Sequence, residues 1–195
     1  MSLQFKLGGQ EDIPQVKELL GRNLYLGIPM GQRANNGFLR YDIEPEVFDR
    51  CAREGNLVVA RNERELAGYM VCFTKEQSMN NPFFSEFLRN AQEMEFEGKK
   101  ISNLNFVIYA QVCIDKRFRH QGTLAGLHRT MRDIQREKYD IGISEIDQEN
   151  AVSWNANIKR AGVIHVGNYA ASSGANWRVV VLNLHKKLPF DEGRQ

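Results

Sequence analysis

Residues Gln111 to Arg132 read QVCIDKRFRHQGTLAGLHRTMR. An apolar run closes on a basic turn containing Gly122, and Leu124, Leu127, Met131 and Ile134 then recur at helical spacing. The reading is strand, turn, helix. Such a junction aims several backbone N–H groups at one point, where the positive end of the helix dipole also lies, and it suits phosphate oxygens. Taken alone, Arg119 and Gly122 at this spacing are equally compatible with a plain strand-to-helix connection.

Phe106 to Ile114 is the strand that feeds the turn, and Ile141 to Ile146 is a second apolar strand beyond the helix. Strand, helix and strand in that order predict a right-handed crossover with parallel neighbours. Asn150 to Arg160 reads as a helix closed by Ala161 and Gly162, the latter a left-handed cap. Val163–Ala170 and Trp177–Leu184 are strands around a Ser172-Ser173-Gly174 turn, and a polar tail spans 188–195.

On the N-terminal side, Phe5 to Leu7 is a short strand. A helix over Gln10 to Leu24 follows, its face set by Ile13, Val16, Leu19, Leu20 and Leu24, with Pro14 in the first turn. Tyr25 to Tyr41 has no steady period and reads as a long loop of the functional or disordered kind. Pro45 opens a helix through Val47, Phe48 and Cys51 that ends near Gly55, and Leu57–Arg61 with Leu66–Thr74 forms a hairpin. Within an inserted segment, 76–104, Phe84, Phe87, Leu88, Ala91 and Met94 make an apolar stripe after the breaker Asn80-Asn81-Pro82. That stripe is either a face packed on core or one wall of a substrate site.

The chain has 195 residues, 42% hydrophobic and 26% charged, which predicts one α/β domain over 1–195 with a core large enough to need no staples. Cys51, Cys72 and Cys113 each lie in apolar runs, so neither a disulfide framework nor a metal cluster is expected, and a reducing cytoplasm fits. No apolar run approaches the roughly 20 residues of a membrane span, and the first residues, MSLQFKLGG, lack a signal-peptide core. A formal charge of +2 gives no bulk case for nucleic acid. Lys116, Arg117, Arg119, His120, His128, Arg129 and Arg132 cluster without an aromatic ladder, which favours a solvated, phosphate-side face over a nucleic-acid patch.

The run from Ile114 to Leu124, IDKRFRHQGTL, resembles the acyl-CoA-binding motif of the GNAT acetyltransferase superfamily. Arg119 and Gly122 match that motif, and Leu124 stands where the family has Gly or Ala. The resemblance continues through Glu145-Ile146-Asp147, then Asn150, Ser153, Lys159 and Gly162, then Val166, Gly167 and Tyr169, and it covers essentially the whole chain. The spacing from Asn150 to Gly162 is one residue longer than the family's, and Val163 replaces a usual Phe. The implied architecture is a GNAT-like single domain, with a mixed, mostly antiparallel sheet whose central parallel pair splays apart between flanking helices.

The same resemblance implies acetyl-CoA as cosubstrate and a small-molecule amine or amino-acid-like acceptor. A homodimer is admitted, and no metal is required. Backbone N–H groups of Arg119, His120, Gln121, Gly122, Thr123 and Leu124 would hold the pyrophosphate, while Val112, Cys113 and Ile114 would pair with the pantetheine amides like an added strand. Asn150, with Ser153 and Asn157 on the same helical face, would meet the cofactor from the other side.

Transfer of an acyl group from thioester to amine needs a base for the ammonium proton and an acid for the leaving thiolate. Glu145 and Asp147, at the C-terminal end of a strand, are candidates for the base or for binding a cationic acceptor; exposed carboxylates paired with Lys or Arg are the alternative. A Tyr common in the family after the Asn is absent, its place taken by Asn157 or Ile158, and Tyr169 lies further along. Cys113 offers an acyl-cysteine route or a buried small hydrophobe. Phe38, Tyr41, Phe84 and Phe87 are available as apolar pocket walls. A non-catalytic acyl-CoA sensor and a transferase of longer acyl chains are the competing readings.

Overall fold

The computed structural model of the protein describes residues 2–191. Strand β1 is Gln4–Leu7 and helix α1 is Ile13–Gly21, whose buried face is Val16, Leu19 and Leu20. This helix is shorter than its period suggests, because Gln10–Asp12 winds as a 3₁₀ turn and the chain leaves the helix at Arg22. The region expected as loop holds a 3₁₀ turn, Tyr25–Gly27, and helix α2, Met30–Asn36. Helix α2 leaves no sequence signature, since its described side chains are exposed or half-buried and set no apolar period.

Helix α3, Pro45–Arg53, buries Phe48 and Cys51 and ends before Gly55 at φ +72°. Strands β2, Leu57–Arg61, and β3, Leu66–Phe73, pair antiparallel from Leu57↔Val71 onward, with a bulge at Ala60/Arg61. A Thr74/Gln77 capping box then starts helix α4, Lys75–Met79, and Asn81 caps α5, Pro82–Gln92. A small hairpin, β4 Glu95–Phe96 and β5 Lys99–Lys100, turns through Glu97 and Gly98, both at positive φ. After it come β6, Phe106–Ile114, α6, Thr123–Gln135, β7, Ile141–Asp147, α7, Ala151–Ala156, β8, Ile164–Ala170, and β9, Asn176–Asn183.

The chain packs as two compact units, and β6 runs through both. The first comprises the residues up to Cys72 with Gln111–Ile134. Its strand order is β1-β2-β3-β6, with Leu57, Val58, Val59 and Ala60 fully buried beside Leu19, Leu20, Phe48 and Tyr69. Gly126 of α6 lies against β1: a Cβ there would sit 2.2 Å from the Phe5 ring, so a larger residue would have to displace that ring. Asp12, wholly buried, accepts from the Gly9 N–H and pairs with Arg61. Removing one partner of such a pair strands a buried charge, so Arg61→Ala is expected to cost about 3 kcal/mol in urea unfolding at neutral pH, and Asp12→Asn in that background should recover part of it.

The second unit comprises Phe73–Ala110 and the residues from Gln135 onward, with strand order β6-β7-β9-β8. Strands β6 and β7 are parallel through Phe106↔Ile141, Val107↔Gly142 and Ile108↔Ile143; β9 runs antiparallel to both β7 and β8. The backbone register of the parallel pair stops at Ile108/Ile143, and beyond it Ser144 Oγ donates to Tyr109 O at 2.8 Å. A side chain therefore replaces the ladder where the splay begins.

Helix α5 buries Phe84, Phe87, Leu88 and Ala91, and Phe84 meets Phe73 edge-on at 5.0 Å. Its stripe is a packing face, and Phe84 and Phe87 are core residues rather than walls of a pocket. The helix begun at Asn150 continues from α7 into a π-helical turn, Asn157–Ala161, before Gly162 at φ +70°. A π turn absorbs one extra residue, which accounts for the longer spacing between Asn150 and Gly162. The polar tail starts packed, with Leu188 buried and Pro189–Asp191 in a 3₁₀ turn; its residues 192–195 lie outside the described residues.

Candidate active site

The turn after β6 is built by Asp115, whose carboxylate caps a 3₁₀ turn, Lys116–Phe118, by accepting from the Arg117 N–H. Hydrogen bonding from the Arg117 guanidinium holds the Asp115 carboxyl below the usual carboxylate range, and Arg22 lies 3.5 Å away. His120 and Gly122 then take φ of +63° and +81°. Two left-handed residues around Gln121 fold the backbone into a concave turn. The first bond of α6 runs from Gly126 N–H to Gly122 C=O, so the N–H groups of Gly122, Thr123, Leu124 and Ala125 precede the helix's own ladder. Gly122 is exposed, and nothing lies within 4 Å of where its Cβ would be. The turn is thus open on that side, with its glycine required by φ.

Two side chains of this turn have internal tasks. Thr123, buried, donates from Oγ1 to Phe118 O at 2.6 Å, and Gln121 Nε2 donates to Arg117 O at 2.8 Å. Cys113 is buried with its sulfur 4.0 Å from Leu19 O, and burial pushes its thiol up to about 12. A thiol held protonated there is no nucleophile, which removes the acyl-cysteine route. Val112 and Ile114 are half-buried on the same strand.

In the second unit, Tyr169 of β8 donates a short hydrogen bond from its hydroxyl to Glu145 Oε2 on β7. Burial raises the Glu145 carboxyl to about 8, against the lowering effect of that bond, and the charges of Glu86 and Asp147 raise it further. The strand alternation that brings Tyr169 beside Glu145 passes through β9, where Trp177 and Val179 stand between them. Asp147 is buried, and its Oδ1 accepts from the Glu149 N–H at 2.7 Å, shaping the turn into α7.

Asn150 caps α7, accepting from the Ser153 N–H at 3.1 Å, and Asn157 Nδ2 reaches Ser153 O at 2.9 Å and Ser153 Oγ at 3.3 Å. These three residues do share a face, and the bonds join them along the helix. Glu86 is a residue the sequence did not single out: from α5 it accepts from Ser172 N and Ser172 Oγ at 2.8 and 3.1 Å. Its partner is 86 positions away, so no local pattern could have marked it. Among the described residues no group of His, Cys, Asp and Glu is placed to hold a metal, and no helix is long and apolar enough to cross a membrane.

No family model and no curated protein sequence matches the chain. Solved structures do. An acetyltransferase of the GNAT family from Bacillus cereus superposes with a TM-score of 0.57 at 11% identity, over 94% of this chain and 98% of that one. The chain has the GNAT acetyltransferase fold. Drosophila melanogaster polyamine N-acetyltransferase shares the GNAT fold with it at a TM-score of 0.64 and 13% identity, covering 93% of this chain and 100% of that enzyme. A chain of the NatC complex, solved with Gag peptide and CoA, aligns at 0.61 and 15% identity over 94% and 99%.

Proposed function

We propose that the chain is an acetyl-CoA-dependent N-acetyltransferase that transfers directly to the amine of a small-molecule or amino-acid-like acceptor. The observation that carries this reading is the hydrogen-bonded Glu145–Tyr169 pair, with its carboxyl at about 8. A carboxylate with that affinity for a proton is matched to an ammonium near neutral pH. Glu145 takes one proton from the acceptor nitrogen and Tyr169 gives its own to the leaving thiolate, recovering a proton from Glu145; the second proton that an ammonium must lose passes to solvent. Base and acid thus form one relay, which answers the absence of the family's usual Tyr.

The turn Arg119–Leu124 takes the pyrophosphate on its backbone N–H groups, the backbone of Val112, Cys113 and Ile114 takes the pantetheine amides, and Asn150, Ser153 and Asn157 line the cofactor. CoA in the NatC structure and the amine named in the Drosophila enzyme support this assignment of cofactor and acceptor class. The test is free-thiol release from acetyl-CoA across a library of amines, polyamines, amino acids and short peptides. Turnover with at least one amine is expected to fall about tenfold or more in Tyr169→Phe. CoA binding with no thiol release on any member would turn the reading to a non-catalytic sensor.

A further inference from the structure

The segment that lacks a sequence period is a closed lobe. Tyr25 N–H donates to Leu39 O and Leu39 N–H to Asn23 O, both at 2.8 Å, so the lobe opens and closes on one pair of strand-like bonds. Inside it Ile28 and Phe38 are buried. The Tyr25 ring carries the guanidinium carbons of Arg33 and Arg40 at 3.8 and 3.7 Å from its centre. Leu26 and Met30 are left exposed at its tip.

One side chain ties this lobe to the turn before α6. Arg119 Nε donates to Ile114 O at 3.1 Å, Nη2 to Asn23 Oδ1 at 3.4 Å, and Nη1 to Asn36 O at 2.6 Å. The three acceptors are the last residue of β6, the root of the lobe and the last residue of α2. The guanidinium of the motif arginine therefore points back into the protein and bridges three segments, while its backbone continues directly into His120 at φ +63°.

We propose that Arg119 is a positioning residue: occupation of the turn by the cofactor fixes, through this guanidinium, the lobe 24–39. This rests on the assignment of CoA to the turn. A rigid fork with five donors can hold three separate acceptors, and a lysine ammonium on a flexible stem cannot reproduce that geometry. Ordering the turn around the pyrophosphate orders the Arg119 backbone, hence its fork, hence Asn36 and Asn23.

Hydrogen exchange followed by mass spectrometry on peptides covering 24–39, 106–114 and 119–124, with and without CoA, tests this in wild type, Arg119→Gln and Arg119→Lys. Without CoA, both variants are expected to exchange the lobe about tenfold faster than wild type, the factor that one charge-assisted hydrogen bond carries, with 106–114 unchanged as the sign of an intact fold. With CoA, the wild type slows in turn and lobe together, and the variants slow in the turn alone. Lobe exchange unaffected by either variant overturns the clamp. A lobe that slows with CoA in Arg119→Gln, or that behaves as wild type in Arg119→Lys, overturns the coupling and makes the side chain a charge for phosphate. If wild type binds no CoA, the cofactor assignment and the coupling fall together, and the exchange without CoA still decides the clamp.

Discussion

Glu145→Gln lowers kcat/KM about a thousandfold and leaves CoA affinity unchanged, if the carboxyl at the end of β7 is the base. The amide keeps the shape and accepts from Tyr169, yet it cannot take a proton, so the loss isolates proton transfer from binding. In the wild type, the active form is the carboxylate, so kcat/KM should climb as pH rises towards about 8 and level off above it. The variant's residual activity should lose that inflection. A variant retaining the wild-type profile would assign the inflection to the acceptor amine and remove Glu145 from the reaction.

The same substitution carries a stability signature of opposite sign. The folded carboxyl sits above its ordinary value, so between roughly 4.5 and 8 the native state binds more protons than the unfolded chain, and native stability falls as pH rises through that window. Gln carries no such charge. Glu145→Gln should therefore melt higher than wild type at pH 9, and the two should converge near pH 4. A gain in stability with a loss of rate is the pattern of a strained functional group.

Gly122→Val is expected to weaken CoA binding about a hundredfold or more while the protein remains folded. At φ +81° a β-branched side chain must either hold the left-handed region at a cost of about 1–2 kcal/mol or pull the turn out of shape. Because the space around that position is open, the fold itself meets no clash, and the melting temperature should drop by only a few degrees. Losing two backbone N–H bonds to phosphate accounts for the larger effect on binding. Isothermal titration with CoA checks it: unchanged affinity would move the pyrophosphate elsewhere.

Most of the fold was legible because its elements have strong local signals. The periodic face of α6, the hairpin of β2 and β3, the Pro45 and Asn150 helix starts and the left-handed Gly162 are each dictated within a few residues. Helix α2 was not legible, since no buried stripe marks it and its last residue is fixed by Arg119, 83 positions on. The stripe of α5 left Phe84 and Phe87 open between core and pocket wall for a related reason: an apolar stripe says that a face is covered without saying by what.

Local sterics and periodicity were enough to place the strongly patterned strands and helices in order, the glycine turn ahead of α6 and the candidate carboxylates on β7. What those side chains touch came from packing between distant segments. That packing set Tyr169 on Glu145 across an intervening strand and raised the carboxyl by burial. It also turned the motif arginine inward to three carbonyl and amide oxygens. Partners separated by 24 to 96 residues meet through packing, and no local pattern records them.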